Sequence, residues 1–179
     1  AARRATLAVS GGCTPRRMFE RLAARGLPWS RVALFQVDER FAPHGDPERN
    51  ATQIAAAFAA ELRAEPLSFH WMPVEDPDAG AAARRYAAAL EAAAGTPPAL
   101  DVVHLGLGAD GHTASLFPGA PLDHDELVAV TGAHLGHVRM TLTLAALNAA
   151  RHIVWLVTGA DKRATLAALL AGDPHIVAS

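Results

Sequence analysis

Four apolar runs along this chain end in a Gly- or Asp-rich turn, and helical spacing follows them directly or after a polar loop. Thr6–Ser10 leads into Gly11-Gly12-Cys13-Thr14-Pro15 and a predicted helix through Ala24. Arg31–Val37 leads into Asp38-Glu39-Arg40, a polar loop with Pro43, Gly45 and Pro47, and a helix from about Asn50. Asp101–Leu107 runs into the glycine-rich stretch Gly106 to Gly119, and His152–Thr158 into Gly159-Ala160-Asp161-Lys162 and a helix through Ala171. A further helix, Gly80–Gly95, is mainly alanine with Arg84, Arg85 and Glu91 as its polar face, and Pro97-Pro98 ends it. Strand-like runs alternating with helical patterns predict an α/β fold, a mostly parallel Rossmann-like sheet with helices on both faces. No internal repeat or long linker divides the chain, so residues 1–179 read as a single α/β domain.

Composition narrows the picture. About half of the 179 residues are hydrophobic (51%), enough for one packed core. A formal net charge of −2 gives no footprint for nucleic acid or an anionic membrane, and no apolar stretch has the length of a membrane span. Cys13 is the single cysteine, which excludes an internal disulfide framework and fits a cytoplasmic protein. The cations are fifteen arginines and one lysine, Lys162, which falls at a predicted strand exit.

Ligands of parallel α/β sheets bind outside the carboxyl ends of the strands, and all four exits carry useful groups. At the first, Gly11 and Gly12 permit close backbone approach, Thr14 suits an N-cap, and Pro15 suits the first helical position. That pattern fits a phosphate site at a helix N-terminus and equally an ordinary strand-to-helix turn. At the second, Asp38-Glu39-Arg40 is either a solvated turn or a site where Arg40 grips phosphate or carboxylate. In the latter case Asp38 holds a sugar hydroxyl or positions a catalytic group. At the third, Gly106, Gly108 and Gly111 match a dinucleotide fingerprint, but His112 follows at once and Phe117-Pro118-Gly119 stops any helix. The glycines instead bring backbone close to a ligand beside His112, which lies near Asp110 and the hydroxyls of Thr113 and Ser115. His134 and His137 have zinc-like spacing in a segment that reads as loop, without a completing ligand, so no metal is expected. Arg139 opens an alternating segment and reads as a surface strand charge or as a site cation.

Four segments together resemble the 6-phosphogluconolactonases: Ser10 to Pro15, Asp38-Glu39-Arg40, Gly108 to Gly119, and Arg139–Thr143 followed by Asn148 and Gly159-x-x-Lys162. They occur in the family's order along nearly the whole chain. The glucosamine-6-phosphate deaminases share Asp-Gly-His but continue differently, and they tend to have tyrosine where Arg40 stands. Thr113-Ala114-Ser115-Leu116-Phe117-Pro118 favours the lactonase. The resemblance implies hydrolysis of 6-phospho-D-glucono-1,5-lactone to 6-phosphogluconate in the pentose phosphate pathway, with no metal or organic cofactor. It implies His112 as general base with Asp38 as a second catalytic candidate. Gly11, Gly12, Thr14, Arg40, Arg139 and Lys162 are then expected around the 6-phosphate, Asn50 near the sugar, and Gly111 beside the reacting centre. Cys13 and Arg49 stand where the family usually has serine. Relative to the family, an N-terminal helix and strand and a C-terminal strand are expected to be missing. The alternatives are a deaminase or isomerase of the same fold, and a sugar-phosphate-binding module without turnover.

Overall fold

The computed structural model describes residues 4–59, 68–121 and 125–177. Strands β1 (Ala5–Val9), β2 (Val32–Gln36), β4 (Ser68–His70), β5 (Val102–Leu105) and β8 (Ile153–Trp155) form one sheet in the order β4-β2-β1-β5-β8. Every pairing in it is parallel. Successive residues point to opposite faces, so the inner strands β1 and β2 feed two cores. Ala8, Phe35, Val103 and Leu105 pack on one side with Ala82, Tyr86 and Leu90 of α3 (Ala79–Ala94) and with Leu147 of α4 (Leu144–Asn148). Val9 and Leu34 pack on the other side with Phe19 of α1 (Arg16–Ala23) and Ile54 of α2 (Asn50–Ala57). Each such fully buried Leu, Val or Phe is worth about 1.5–3 kcal/mol. The last helix, α5, covers Arg163–Leu170.

Four of the five parallel strands fall on the predicted apolar runs, β1 shifted by one residue and β2, β5 and β8 shorter than their runs, while β4 falls on none of them. The structure adds a second, antiparallel sheet, β3 (Asp38–Arg40), β7 (His137–Leu142) and β6 (Val128–His134), in the order β3-β7-β6. Val37 passes the chain from one sheet to the other. Its N–H donates to the Val9 carbonyl (3.0 Å), and its own carbonyl accepts from Leu142 N–H (2.7 Å). The transfer carries Asp38-Glu39-Arg40 off the top of the parallel sheet as a strand rather than a solvated turn.

Three local expectations are corrected. Thr14 does not cap α1: the helix starts at Arg16, and the Pro15 carbonyl takes the first bond, from Phe19 N–H at 2.9 Å. His134 and His137 lie in strands, not a loop, because the two-residue turn between them joins β6 to β7. Arg139 is not a surface charge but 7% exposed, since β7 lies between β3 and β6. Asp78 does cap α3 by accepting from Ala81 N–H (2.8 Å). The expected single domain over 1–179 includes stretches outside the described residues. Among the described residues no helix is long and apolar enough to cross a membrane.

Candidate active site

The strand exits and the antiparallel sheet enclose a cavity of about 230 Å³. Of the predicted site residues, Gly11, Gly12, Thr14, Asp38, Arg40, Asn50, His112, Arg139 and Lys162 line it. Gly111 does not. It packs toward Ile176 and Pro118, where a Cβ would come within 2.9 Å of Ile176 Cδ1. Leu156, Val157 and Thr158, the end of the fourth apolar run, also line the cavity, as does His104, which the apolar patterning does not mark.

His112 is built by its turn. Gly108 N–H donates to the His112 carbonyl (2.8 Å), and Gly111 N–H to the Gly108 carbonyl (3.2 Å), folding the segment back on itself. The imidazole then lies directly over Gly108, where a Cβ would sit 2.1 Å from Nδ1. Only glycine admits that approach. Nδ1 lies 2.6 Å from Asp110 Oδ1, and His112 N–H reaches the same oxygen at 3.2 Å. Partial burial pushes the Asp110 carboxyl up, but these bonds from His112 outweigh it and hold Asp110 below the usual carboxylate range. An ionised Asp110 fixes the proton on Nδ1 and leaves Nε2 as the basic atom. Phe117 packs against the His112 ring at 4.9 Å, stacks on His134 at 3.7 Å, and lies 5.7 Å below the Arg139 guanidinium. Beside the turn, Ala114 adopts φ +51°, a left-handed conformation uncommon outside glycine. The α5 residue Thr165 anchors the loop by donating to the Ala109 carbonyl (2.8 Å).

Asp38, the second catalytic candidate, lines the same cavity as His112. It is buried, accepting from Ser115 Oγ (2.7 Å) and from Asn50 Nδ2 (3.0 Å). Burial is the main influence on its carboxyl and raises it. The Ser115 hydroxyl opposes this, the Glu39 charge adds to it, and the Arg139 and Arg40 charges oppose it. Asn50 Nδ2 also donates to the Asp38 carbonyl (2.9 Å), and its side chain fills the space a Cβ on Gly11 would need. That contact explains the first glycine of the turn.

The cations gather on the same cavity. Arg40 donates to the Glu48 carbonyl, and Arg139 pairs across the sheet with Arg40 in register. Burial, then the neighbouring Arg40 charge, lowers the Arg139 guanidinium from its ordinary value against the carboxylates of Asp38, Glu48 and Glu39. Both arginines keep a buried Nε with no partner, a cost that an incoming anion would relieve. Lys162, partly exposed, ends the turn before α5. Gly12 N–H is already committed to Gln53 Oε1 (2.9 Å), so the glycine turn offers an anion fewer donors than its sequence suggests. His134 and His137 serve the frame: His134 stacks on Phe117, and His137 Nε2 pairs with Glu48 Oε2 (2.8 Å). Among the described residues no group of three His, Cys, Asp or Glu side chains is placed to hold a metal ion.

A family model described as glucosamine-6-phosphate isomerases/6-phosphogluconolactonase matches residues 1–177. A 6-phosphogluconolactonase of Synechocystis is 37% identical over 177 residues, a match spanning 95% of this chain and 74% of that protein. The crystal structure of a 6-phosphogluconolactonase from Thermotoga maritima superposes with a TM-score of 0.86 at 27% identity, covering 97% of this chain and 79% of that one. A monomeric glucosamine-6-phosphate deaminase also superposes, with a TM-score of 0.80 at 18% identity over 95% of this chain and 77% of its own. That last likeness is one of fold alone.

Proposed function

The chain belongs to the glucosamine-6-phosphate isomerase/6-phosphogluconolactonase family, and we propose that within it this protein hydrolyses 6-phospho-D-glucono-1,5-lactone to 6-phosphogluconate. The observation that carries the reading is the pairing, in one cavity, of His112, held from behind by Asp110, with three cations, Arg40, Arg139 and Lys162. A dianionic phosphate remote from the reacting carbon suits the cations, and its binding energy orients the ring.

The chemistry follows from the dyad. With Nδ1–H held by Asp110, the His112 Nε2 lone pair takes a proton from water as its oxygen bonds to the lactone carbonyl carbon. The tetrahedral intermediate collapses by breaking the bond from that carbon to the ring oxygen. The imidazolium returns its proton to the departing oxygen, leaving the open-chain acid and neutral His112. Asp110 stays ionised and stabilises the imidazolium between the two steps. Asp38 and Asn50, tied to each other, face the sugar hydroxyls. Thr14 and the turn from Gly11 to Pro15 lie at the start of α1, where the helix dipole favours the phosphate. No step requires a metal or organic cofactor. The same reading places the reaction in the cytoplasm, in keeping with Cys13, a free and exposed cysteine.

The deciding experiment is a coupled assay of lactone opening against a no-enzyme control, with glucosamine 6-phosphate and ammonia detection run in parallel. Accelerated opening without ammonia release is expected. Ammonia release without lactone hydrolysis would identify a deaminase. Binding of 6-phosphogluconate with only the spontaneous opening rate would identify a module without turnover.

A further inference from the structure

We infer that Glu39, which does not itself line the cavity, is a positioning residue whose single buried carboxylate sets Asp38, Arg40 and Asn50 in the cavity wall. The inference rests on the proposed lactone hydrolysis.

Glu39 is fully buried. Oε1 accepts from Arg40 N–H (2.8 Å) and Asn50 N–H (2.8 Å). Oε2 accepts from Ala51 N–H (2.7 Å) and Gln36 Nε2 (2.8 Å), and Arg49 Nε lies 3.6 Å away. A carboxylate has about four lone-pair sites, and all four are filled here. That completeness is what makes an ion tolerable in a core. Gln36 is itself fixed, its Oε1 accepting from Met72 N–H (2.8 Å) and its backbone bonded to the Tyr86 hydroxyl of α3.

The four donors come from three separate pieces of the site. Helix α2 has no side-chain cap at Arg49. Glu39 supplies the cap from outside the helix, taking the first two N–H groups and placing a negative charge at the positive end. Holding Asn50 N–H holds its side chain, which donates to Asp38 Oδ1 and occupies the space over Gly11. Holding Arg40 N–H fixes the root of a cavity cation. Hydrophobic packing would stabilise a strand here more simply. A buried ion with this donor set instead specifies one arrangement of the wall.

The charge of Glu39 has a second effect. The Asp38 carboxyl is faced by Glu39 and Arg40 of β3, Asn50 of α2, Arg139 of β7 and the Ser115 hydroxyl. Burial and Glu39 favour its protonated form, while Ser115 and the arginines favour the ionised form. Neutralising Glu39 without changing its shape therefore lets Asp38 ionise at lower pH.

The test uses Glu39→Gln and Glu39→Asp in the full chain. Lactone hydrolysis is measured across about pH 5–8, 6-phosphogluconate affinity by calorimetry over the same range, and stability by thermal denaturation. Glu39→Gln places an amide donor against donors, so kcat/KM is expected to fall by about 10²-fold, with weaker product binding whose pH dependence moves to lower pH as Asp38 ionises more readily. Glu39→Asp keeps the charge but cannot span Arg40 and Ala51, so it loses kcat/KM without that change in the pH dependence of binding. Folded variants with wild-type kcat/KM, affinity and pH profile, whatever their melting temperature, overturn the inference and leave Glu39 a purely structural group. If Glu39→Gln does not fold, Glu39→Asp decides alone: reduced kcat/KM and affinity support the inference, wild-type values overturn it. A wild-type chain that does not hydrolyse the lactone defeats the functional reading instead, and Glu39 is then judged on 6-phosphogluconate affinity.

Discussion

His112 and Asp110, two residues apart in one turn, meet side chain to side chain at 2.6 Å between Nδ1 and Oδ1. The carboxylate that orients the imidazole is thus local, while Asp38, the carboxylate that lines the cavity, is bound by Ser115 and Asn50. The two acids have separate tasks, and their substitutions separate accordingly. His112→Asn lowers kcat by about 10²–10⁴-fold, the usual worth of a positioned base, and leaves 6-phosphogluconate affinity intact. Asp110→Asn gives a smaller loss of kcat with the same unchanged affinity. Initial rates corrected for spontaneous opening check both, and a wild-type kcat in His112→Asn would remove it as the base.

Lys162 is more accessible than the buried Arg139, and among the described residues its side chain holds no hydrogen bond within the frame of the cavity, only a 3.9 Å contact with the exposed Asp161, so its replacement disturbs the fold little. A charge-assisted hydrogen bond is worth about 1.5–3 kcal/mol, which is about 10- to 100-fold in affinity. Lys162→Ala is expected to raise KM and the 6-phosphogluconate Kd by that factor with kcat nearly unchanged. Calorimetry on the two proteins measures it, and equal Kd values would place Lys162 outside the phosphate site.

Gly108→Ala tests the turn rather than the chemistry. The added Cβ would lie 2.1 Å from His112 Nδ1 and 2.4 Å from Asp110 Oδ1, so the dyad must move. A displacement of that size costs about 10²-fold in rate. The phosphate-binding side of the cavity is untouched, and affinity for 6-phosphogluconate stays. A variant with wild-type kcat would mean the imidazole works from a position other than the one over Gly108.

The legible parts of the molecule share one property: their burial is apolar. The runs that become β1, β2, β5 and β8 end at glycine or aspartate turns, so the sheet and its ligand-bearing exits follow from patterning. In the second sheet the alternation from Arg139 marks part of β7, but β3 escapes patterning because it is only Asp38-Glu39-Arg40. These are charged residues whose burial is offset by hydrogen bonds from the nearby Gln36 and from Asn50, Ala51 and Ser115, partners farther along the sequence. Hydropathy cannot register a strand buried in that way. The strand placement of His134 and His137 was hidden for a related reason, since Gly132 and His134 interrupt the apolar alternation that Val128 and Val130 begin. Within the site, the position of each exit was readable, but the direction of each side chain was not. Gly111 turns toward Ile176, and Asp110 turns toward His112, on backbone geometry that the Asp-Gly-His string leaves open.

His104 on the cavity floor gives the fold a built-in sensitivity to acid. Its ring is buried against Phe19 at 5.7 Å, and neither nitrogen has a partner. Burial therefore penalises the imidazolium and lowers its pKa from 6.5 to about 4. The unfolded chain binds a proton at this residue below about 6.5, whereas the native state does not until about 4. Between those values the unfolded state holds more protons, so stability rises with pH. The contribution is fully present above the unfolded pKa and is lost as pH falls toward the folded one, with a slope of up to about 1.4 kcal/mol per pH unit. Urea denaturation at a series of pH values in that window measures the slope. His104→Leu keeps the apolar packing on Phe19 and removes the titrating group, so its profile is expected to be flatter than that of the wild type. Parallel slopes for the two proteins would assign the acid sensitivity to other groups.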